Sequence, residues 1–85
     1  MRSFEFVVKE EVGIHARPAS QLVSSAATYA SSIAIESNGK KADAKRLIAL
    51  MALGVKCGDR VVVCINGEDE DLAVVQLQEF CTSNL

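Results

Sequence analysis

Apolar and polar positions alternate from the start of the chain. Phe4, Phe6 and Val8 interleave with Ser3, Glu5 and a partly apolar opposite face, which predicts a half-buried strand over residues 2–8. Lys9 to Gly13 is polar and ends in glycine, as a loop would. From Ala16 the period lengthens: Ala19, Leu22, Val23 and Ala26 fall at i, i+3, i+4 and i+7, one face of a helix running to about Thr28. Ser20, Ser24 and Ser25 lie mostly off that stripe. Ile33 and Ile35 then alternate with Ala34 and Glu36, predicting a second strand.

Asn38-Gly39 follows as a hairpin turn, since a type I′ turn needs positive φ at both positions. The return strand, Lys40 to Asp43, is short. Leu47 to Leu53 reads as a short apolar helix closed by Gly54. Arg60 to Asn66 is a β-branched run with Val61, Val63 and Ile65 on one face. Asp69-Glu70-Asp71 then puts negative charge where a helix N-terminus favours it. Ala73, Val74, Leu77, Phe80 and Cys81 form the stripe that helix should bury.

The predicted order is βαββαβα. Three amphipathic helices on one face of a four-stranded antiparallel sheet make a two-layer α+β domain. The pattern alone does not give the strand order. No repeat or linker divides the chain, so its 85 residues read as one domain, 1–85, with room for a single core. Hydrophobic residues make up 49% and charged residues 24%, ordinary values for a soluble domain. A net charge of −2 and the lack of a Lys/Arg run along a helix argue against nucleic acid as a partner. No stretch approaches membrane-spanning length and the first residues lack a signal-peptide core, so neither membrane insertion nor export is expected. Cys57, Cys64 and Cys81 are odd in number, fit no CxxC spacing and accompany one histidine. They read as free thiols of a cytoplasmic protein, with no metal site.

The densest chemistry lies in Gly13-Ile14-His15-Ala16-Arg17-Pro18. His15, the only histidine, falls at the predicted N-cap of the first helix. The backbone N–H groups of Ala16 and Arg17 then have no intrahelical acceptor, and Pro18 has no donor to lose. Free donors and the positive end of the helix dipole make an anion site beside the imidazole. Arg17 could add a charge-assisted contact to a phosphoryl group on the ring. A surface helix terminus favours a nearby anion by only about 0.3–1 kcal/mol, which suits a relay that must release its phosphate. Taken singly, each residue has an ordinary reading: a surface histidine, a solvated arginine, a helix-start proline.

Gly13-Ile14-His15-Ala16-Arg17-Pro18-Ala19-Ser20 resembles the active-site signature of the histidine phosphocarrier (HPr) family and falls at the same distance from the N-terminus. Asn38-Gly39-Lys40, Leu50-Met51-Ala52-Leu53-Gly54-Val55, Gly58 and Gly67-Glu68-Asp69-Glu70 resemble HPr in the same order, so the likeness spans essentially the whole chain. It implies an open-faced sandwich with sheet order 1-4-2-3 and a carrier role in the phosphoenolpyruvate-dependent sugar phosphotransferase system. Enzyme I would phosphorylate His15 on Nδ1, and the A components of enzymes II would collect the phosphate. Arg17 would stabilise the phosphate and Ala16 would offer a backbone donor. The resemblance implies no cofactor and no enzyme activity beyond the transient phosphohistidine; a monomer is expected.

Leu50 and Leu53 should face the core of the short second helix, but Leu47, Ile48 and Met51 cannot all do so on two turns. Exposed apolar surface beside the His15 loop is then expected. Since family members meet their partners through the first two helices, Ser20, Ser24, Leu47, Ile48 and Met51 are candidate interface residues. The chain departs from many Gram-positive members at Arg46, where they carry a serine phosphorylated by a dedicated kinase. Arg46 has no hydroxyl and holds a permanent positive charge. Such a chain either belongs to a branch without the serine switch or serves a regulatory or partial phosphotransferase chain. Competing classes are a binding module that carries no phosphate, disfavoured by His15 and Arg17 together, and a thiol-based metal or redox domain. The latter is disfavoured because Cys64 lies in a strand and Cys81 on the buried face of the last helix, where free cysteine behaves as a small hydrophobe. An independent hydrolase or kinase would need a carboxylate pair, a P-loop or a second histidine.

Overall fold

The computed structural model describes residues 1–85. Its elements are β1 (Arg2–Val7), α1 (Ala16–Ala26), β2 (Ser32–Ser37), β3 (Lys40–Asp43), α2 (Leu47–Met51), β4 (Arg60–Asn66) and α3 (Glu70–Asn84). The strands form one antiparallel sheet in the order β1-β4-β2-β3. β4 pairs with both β1 and β2, so the last strand in sequence becomes a central one. The register places Phe4 opposite Val63 and Ile35 also opposite Val63, which aligns the apolar side chains of three strands on one face.

That face carries the core. Ile33, Ile35, Val61, Val63 and Ile65 are buried beneath Ala19, Leu22 and Ala26 of α1, Leu50 of α2, and Ala73, Val74, Leu77 and Cys81 of α3. Phe80, expected in the buried stripe of α3, is half-buried at its edge. Ser32, Ala34, Lys41, Asp43, Cys64 and Asn66 point to the other face, which no helix covers; a groove of about 670 Å³ lies there. The result is the two-layer open-faced sandwich that the alternation of the strands and the helical stripes require.

Three elements end earlier than the hydrophobic period predicts. β1 stops at Val7, because the backbone of Val8 leaves the sheet for the loop before β4: its N–H donates to Asp59 O and its carbonyl accepts from Gly58 N. α1 stops at Ala26, where Thr28 N–H and Thr28 Oγ1 both donate to Ser25 O and tighten the last turn. α2 stops at Met51; the Leu53 and Gly54 N–H groups bond three residues back, and Gly54 takes a left-handed φ of 64°. The predicted hairpin has Asn38 at φ 55° and Gly39 at φ 75°, as type I′ geometry demands.

Candidate functional site

His15 is the N-cap of α1. Its backbone is extended (φ −113°, ψ −178°) and its carbonyl accepts the first helical bond, from Ala19 N at 3.0 Å. Its side chain caps nothing, so the exposed ring is not committed to the helix. Ala16 and Arg17 follow as the first helical residues, both exposed; their N–H groups belong to the orphan donors of the first turn. Pro18 and Ala19 are buried and anchor that turn on the core. The first turn contains no acidic residue to compete for the donors. Arg17 takes part in none of the three salt bridges. An exposed histidine, two free backbone N–H donors and an exposed arginine thus stand on consecutive residues at one helix end.

The loop before His15 is held from two sides. Lys9 and Glu10 N–H groups donate to Leu85 O at 2.6 and 3.0 Å, and Gly13 N donates to Glu10 O. Ile14 N donates to Val55 O at 3.2 Å, tying the residue before His15 to the chain that leaves α2. At Gly13 φ is +70°, and an added Cβ would lie 2.3 Å from Val55 O and 2.8 Å from Lys56 Cα. This glycine is required by both conformation and contact. Sequence reasoning places Gly13 in a loop but misses its packing against Val55, because no local pattern announces a contact across that separation.

α2 packs beside α1 and contributes the expected apolar surface. Leu50 and Leu53 are buried, while Ile48 is 79% exposed and Met51 39% exposed; Leu47 is half-buried. A shallow groove of about 570 Å³ is lined by Lys45, Arg46, Leu47, Ile48, Ala49 and Ala52. Lys45 Nζ donates to Tyr29 O at 2.8 Å, while Arg46, the N-cap of α2, is exposed and caps nothing with its side chain. Ser20 and Ser24 are exposed on α1. The larger groove, on the uncovered sheet face, includes none of the predicted site residues. Cys57 is exposed, Cys64 half-buried and Cys81 buried, and burial pushes the Cys81 thiol up to about 12.

Comparison with known proteins gives a consistent result. A family described as "PTS HPr component phosphorylation site" matches residues 2–83. The phosphocarrier protein HPr of Borreliella burgdorferi is 40% identical over 79 residues, covering 93% of this chain and 92% of that one. HPr of Lysinibacillus sphaericus is 40% identical over 82 residues, covering 96% and 93%. Among solved structures, the histidine-containing phosphocarrier protein of Mycoplasma superposes with a TM-score of 0.93 at 30% identity, covering 96% of this chain and 93% of that one. An HPr dimer from Thermoanaerobacter tengcongensis superposes at 0.77 with 35% identity, covering 98% and 95%.

Proposed function

From the premise that this chain belongs to the HPr family of phosphocarrier proteins, we propose that it carries a phosphoryl group on His15 between enzyme I and the A components of sugar-specific enzymes II. The observation that carries the reading is the position of His15: exposed, extended, and directly before a helix whose first N–H groups have no helical acceptor. In the forward step the Nδ1 lone pair forms a bond to phosphorus as the bond between phosphorus and the donor atom of enzyme I breaks. In the second step the new P–N bond breaks toward the acceptor of the A component. Ala16 and Arg17 N–H groups and the Arg17 guanidinium meet the phosphoryl oxygens in both steps. Their attraction is modest at an exposed helix end, so the group is oriented without being trapped. The chain is a carrier; the partners supply the rest of each active site.

Ser20 and Ser24 of α1, with Leu47, Ile48 and Met51 of α2, form the docking surface in this reading. The exposure of Ile48 and Met51 supports it, because an apolar side chain left in water is stabilised when a partner covers it. Work in the cytoplasm and action as a single copy fit a small carrier whose phosphate-binding groups all come from one chain. Incubation with enzyme I and labelled phosphoenolpyruvate tests the proposal: an acid-labile, base-stable label is expected on the wild type and none on His15→Ala.

A second reading, favoured by the exposed Arg46 at the α2 N-cap, is a specialised relative serving a regulatory or partial phosphotransferase chain. Transfer of phosphate from enzyme I but to no sugar-specific A component would select it.

A further inference from the structure

Phosphoryl transfer as described uses nothing from Val55–Asp59, yet this turn, whose middle three residues are exposed, is closely hydrogen-bonded. The Asp59 carboxylate accepts the Lys56 N–H at 2.8 Å and the Asn38 side-chain amide at 3.1 Å, both on Oδ2. Asp59 N–H donates back to Lys56 O at 3.0 Å, closing a ring across the turn. Three further backbone bonds leave the same turn, Val8 N to Asp59 O, Gly58 N to Val8 O, and Ile14 N to Val55 O, and the Cys57 thiol donates to Lys9 O at 3.7 Å. Gly13 rests directly on Val55 O and Lys56 Cα. Val55 is packed in the core and Asp59 is half-buried, but Lys56, Cys57 and Gly58 between them are exposed, so hydrogen bonds rather than core packing order that stretch.

We propose that Asp59 is a positioning residue for phosphoryl transfer: by fixing the Val55–Asp59 turn, its carboxylate fixes Gly13 and Ile14, and so the direction in which His15 presents its ring. This inference rests on His15 as the phosphoryl acceptor. The physical route is short. Without the carboxylate, the Lys56 N–H turns to water, and the Val55–Lys56 peptide, anchored on one side by the buried Val55 side chain, is free to tilt its carbonyl away from Gly13 and Ile14. Hydrogen bonds from Lys56 and Asn38 hold the Asp59 carboxyl below the usual carboxylate range, so it stays an ionised acceptor at neutral pH. Bimolecular transfer between two proteins is sensitive to such placement, since a displacement of about 1 Å at the reacting atoms can cost about 100-fold.

The test compares Asp59→Ala, Asp59→Asn and Asn38→Ala, all as full chains. Asp59→Ala is expected to lower kcat for phosphate acceptance from enzyme I about tenfold or more, within the range that misplacement produces, while leaving KM nearly unchanged. Asp59→Asn should recover most of the rate, because an amide oxygen accepts the same two bonds. Asn38→Ala, which removes one of them, should fall between. Backbone amide shifts of Gly13 to Arg17, recorded without enzyme I, should move in Asp59→Ala and return in Asp59→Asn. A wild-type rate in folded Asp59→Ala, no recovery in Asp59→Asn, or unmoved amides at 13–17 would each overturn the proposal. If the wild type itself took no phosphate, the carrier reading would fail, while the amide shifts would still decide whether Asp59 sets the loop.

Discussion

The Asp69 carboxylate holds Ser31 by two bonds, accepting its backbone N–H at 3.0 Å and its hydroxyl, and accepts the Ala30 N–H at 2.8 Å as well. Asp69 is the N-cap of α3, yet its side chain caps nothing in its own helix. Its oxygens instead join the start of α3 to the residues entering β2, thirty-eight positions earlier. Glu70 takes over local duty by accepting the Gly67 N–H at 3.1 Å. Ser31 is buried, and Gly67 lies against it so closely that an added Cβ would meet Ser31 Cα at 2.5 Å.

These bonds make stability depend on acid in a defined direction. The Ser31 hydroxyl, then the Ala30 and Ser31 N–H groups, lower the Asp69 carboxyl below its ordinary value. A carboxyl lowered in the folded state contributes stability that is fully present above the unfolded value of about 3.9 and is lost as pH falls through the folded value. Asp69→Asn should therefore melt below the wild type from about pH 5 to 7. The gap should narrow below about pH 4, as thermal melts followed by circular dichroism would show.

Gly13→Ala should be more costly than Gly54→Ala. Both positions are left-handed, and the conformational penalty alone is about 1–2 kcal/mol. Nothing lies within 4 Å of a Cβ added at Gly54, whereas at Gly13 it meets Val55 O at 2.3 Å. The expected difference in urea unfolding is about 1–3 kcal/mol, typical of forced packing. Phosphate acceptance should fall only in Gly13→Ala.

Ile48 and Leu50 separate docking from folding on one short helix. Ile48→Ser changes a side chain that is 79% exposed, so stability should move by no more than about 0.5 kcal/mol. Its KM for transfer with enzyme I should rise. Leu50→Ala empties a site that is 1% exposed and should cost about 2–5 kcal/mol, read as a lower denaturation midpoint.

Arg46 makes a chemical prediction. With no hydroxyl at that position, incubation with the kinase that modifies the corresponding serine of Gram-positive relatives should leave the intact mass unchanged. Without a serine there, His15 should be the only phosphorylated residue, and a stoichiometric phosphate on Ser31, Ser32 or Ser37 would contradict that. Ser31 and Ser37 are buried, with their hydroxyls bonded to Asp69 and to Arg60 O.

How much of the fold and the site is legible in the sequence depends on distance along the chain. Ile33 with Ile35, and Val61 with Val63 and Ile65, announce their strands because period-two alternation is a local property. Asn38-Gly39 announces its turn for the same reason. His15, Ala16, Arg17 and Pro18 are contiguous, so the helix-end site is readable from the residues themselves. Strand order is open to the pattern and comes only from family resemblance, since alternation tells which face is buried and not which strand is a neighbour. The Val8 exit from the sheet, the seat of Gly13 on Val55 and the grip of Asp69 on Ser31 are invisible there. Each joins segments that are polar or irregular, where no period exists to be read.

If His15 carries the phosphoryl group, nitrogen-resolved NMR of the imidazole will see it at the bonded atom. After incubation of the ¹⁵N-labelled protein with enzyme I and phosphoenolpyruvate, the His15 Nδ1 resonance should shift and show coupling to phosphorus, while Nε2 keeps its proton. Unchanged His15 nitrogens, or a phosphate found on any other side chain, would rule out His15 as the carrier.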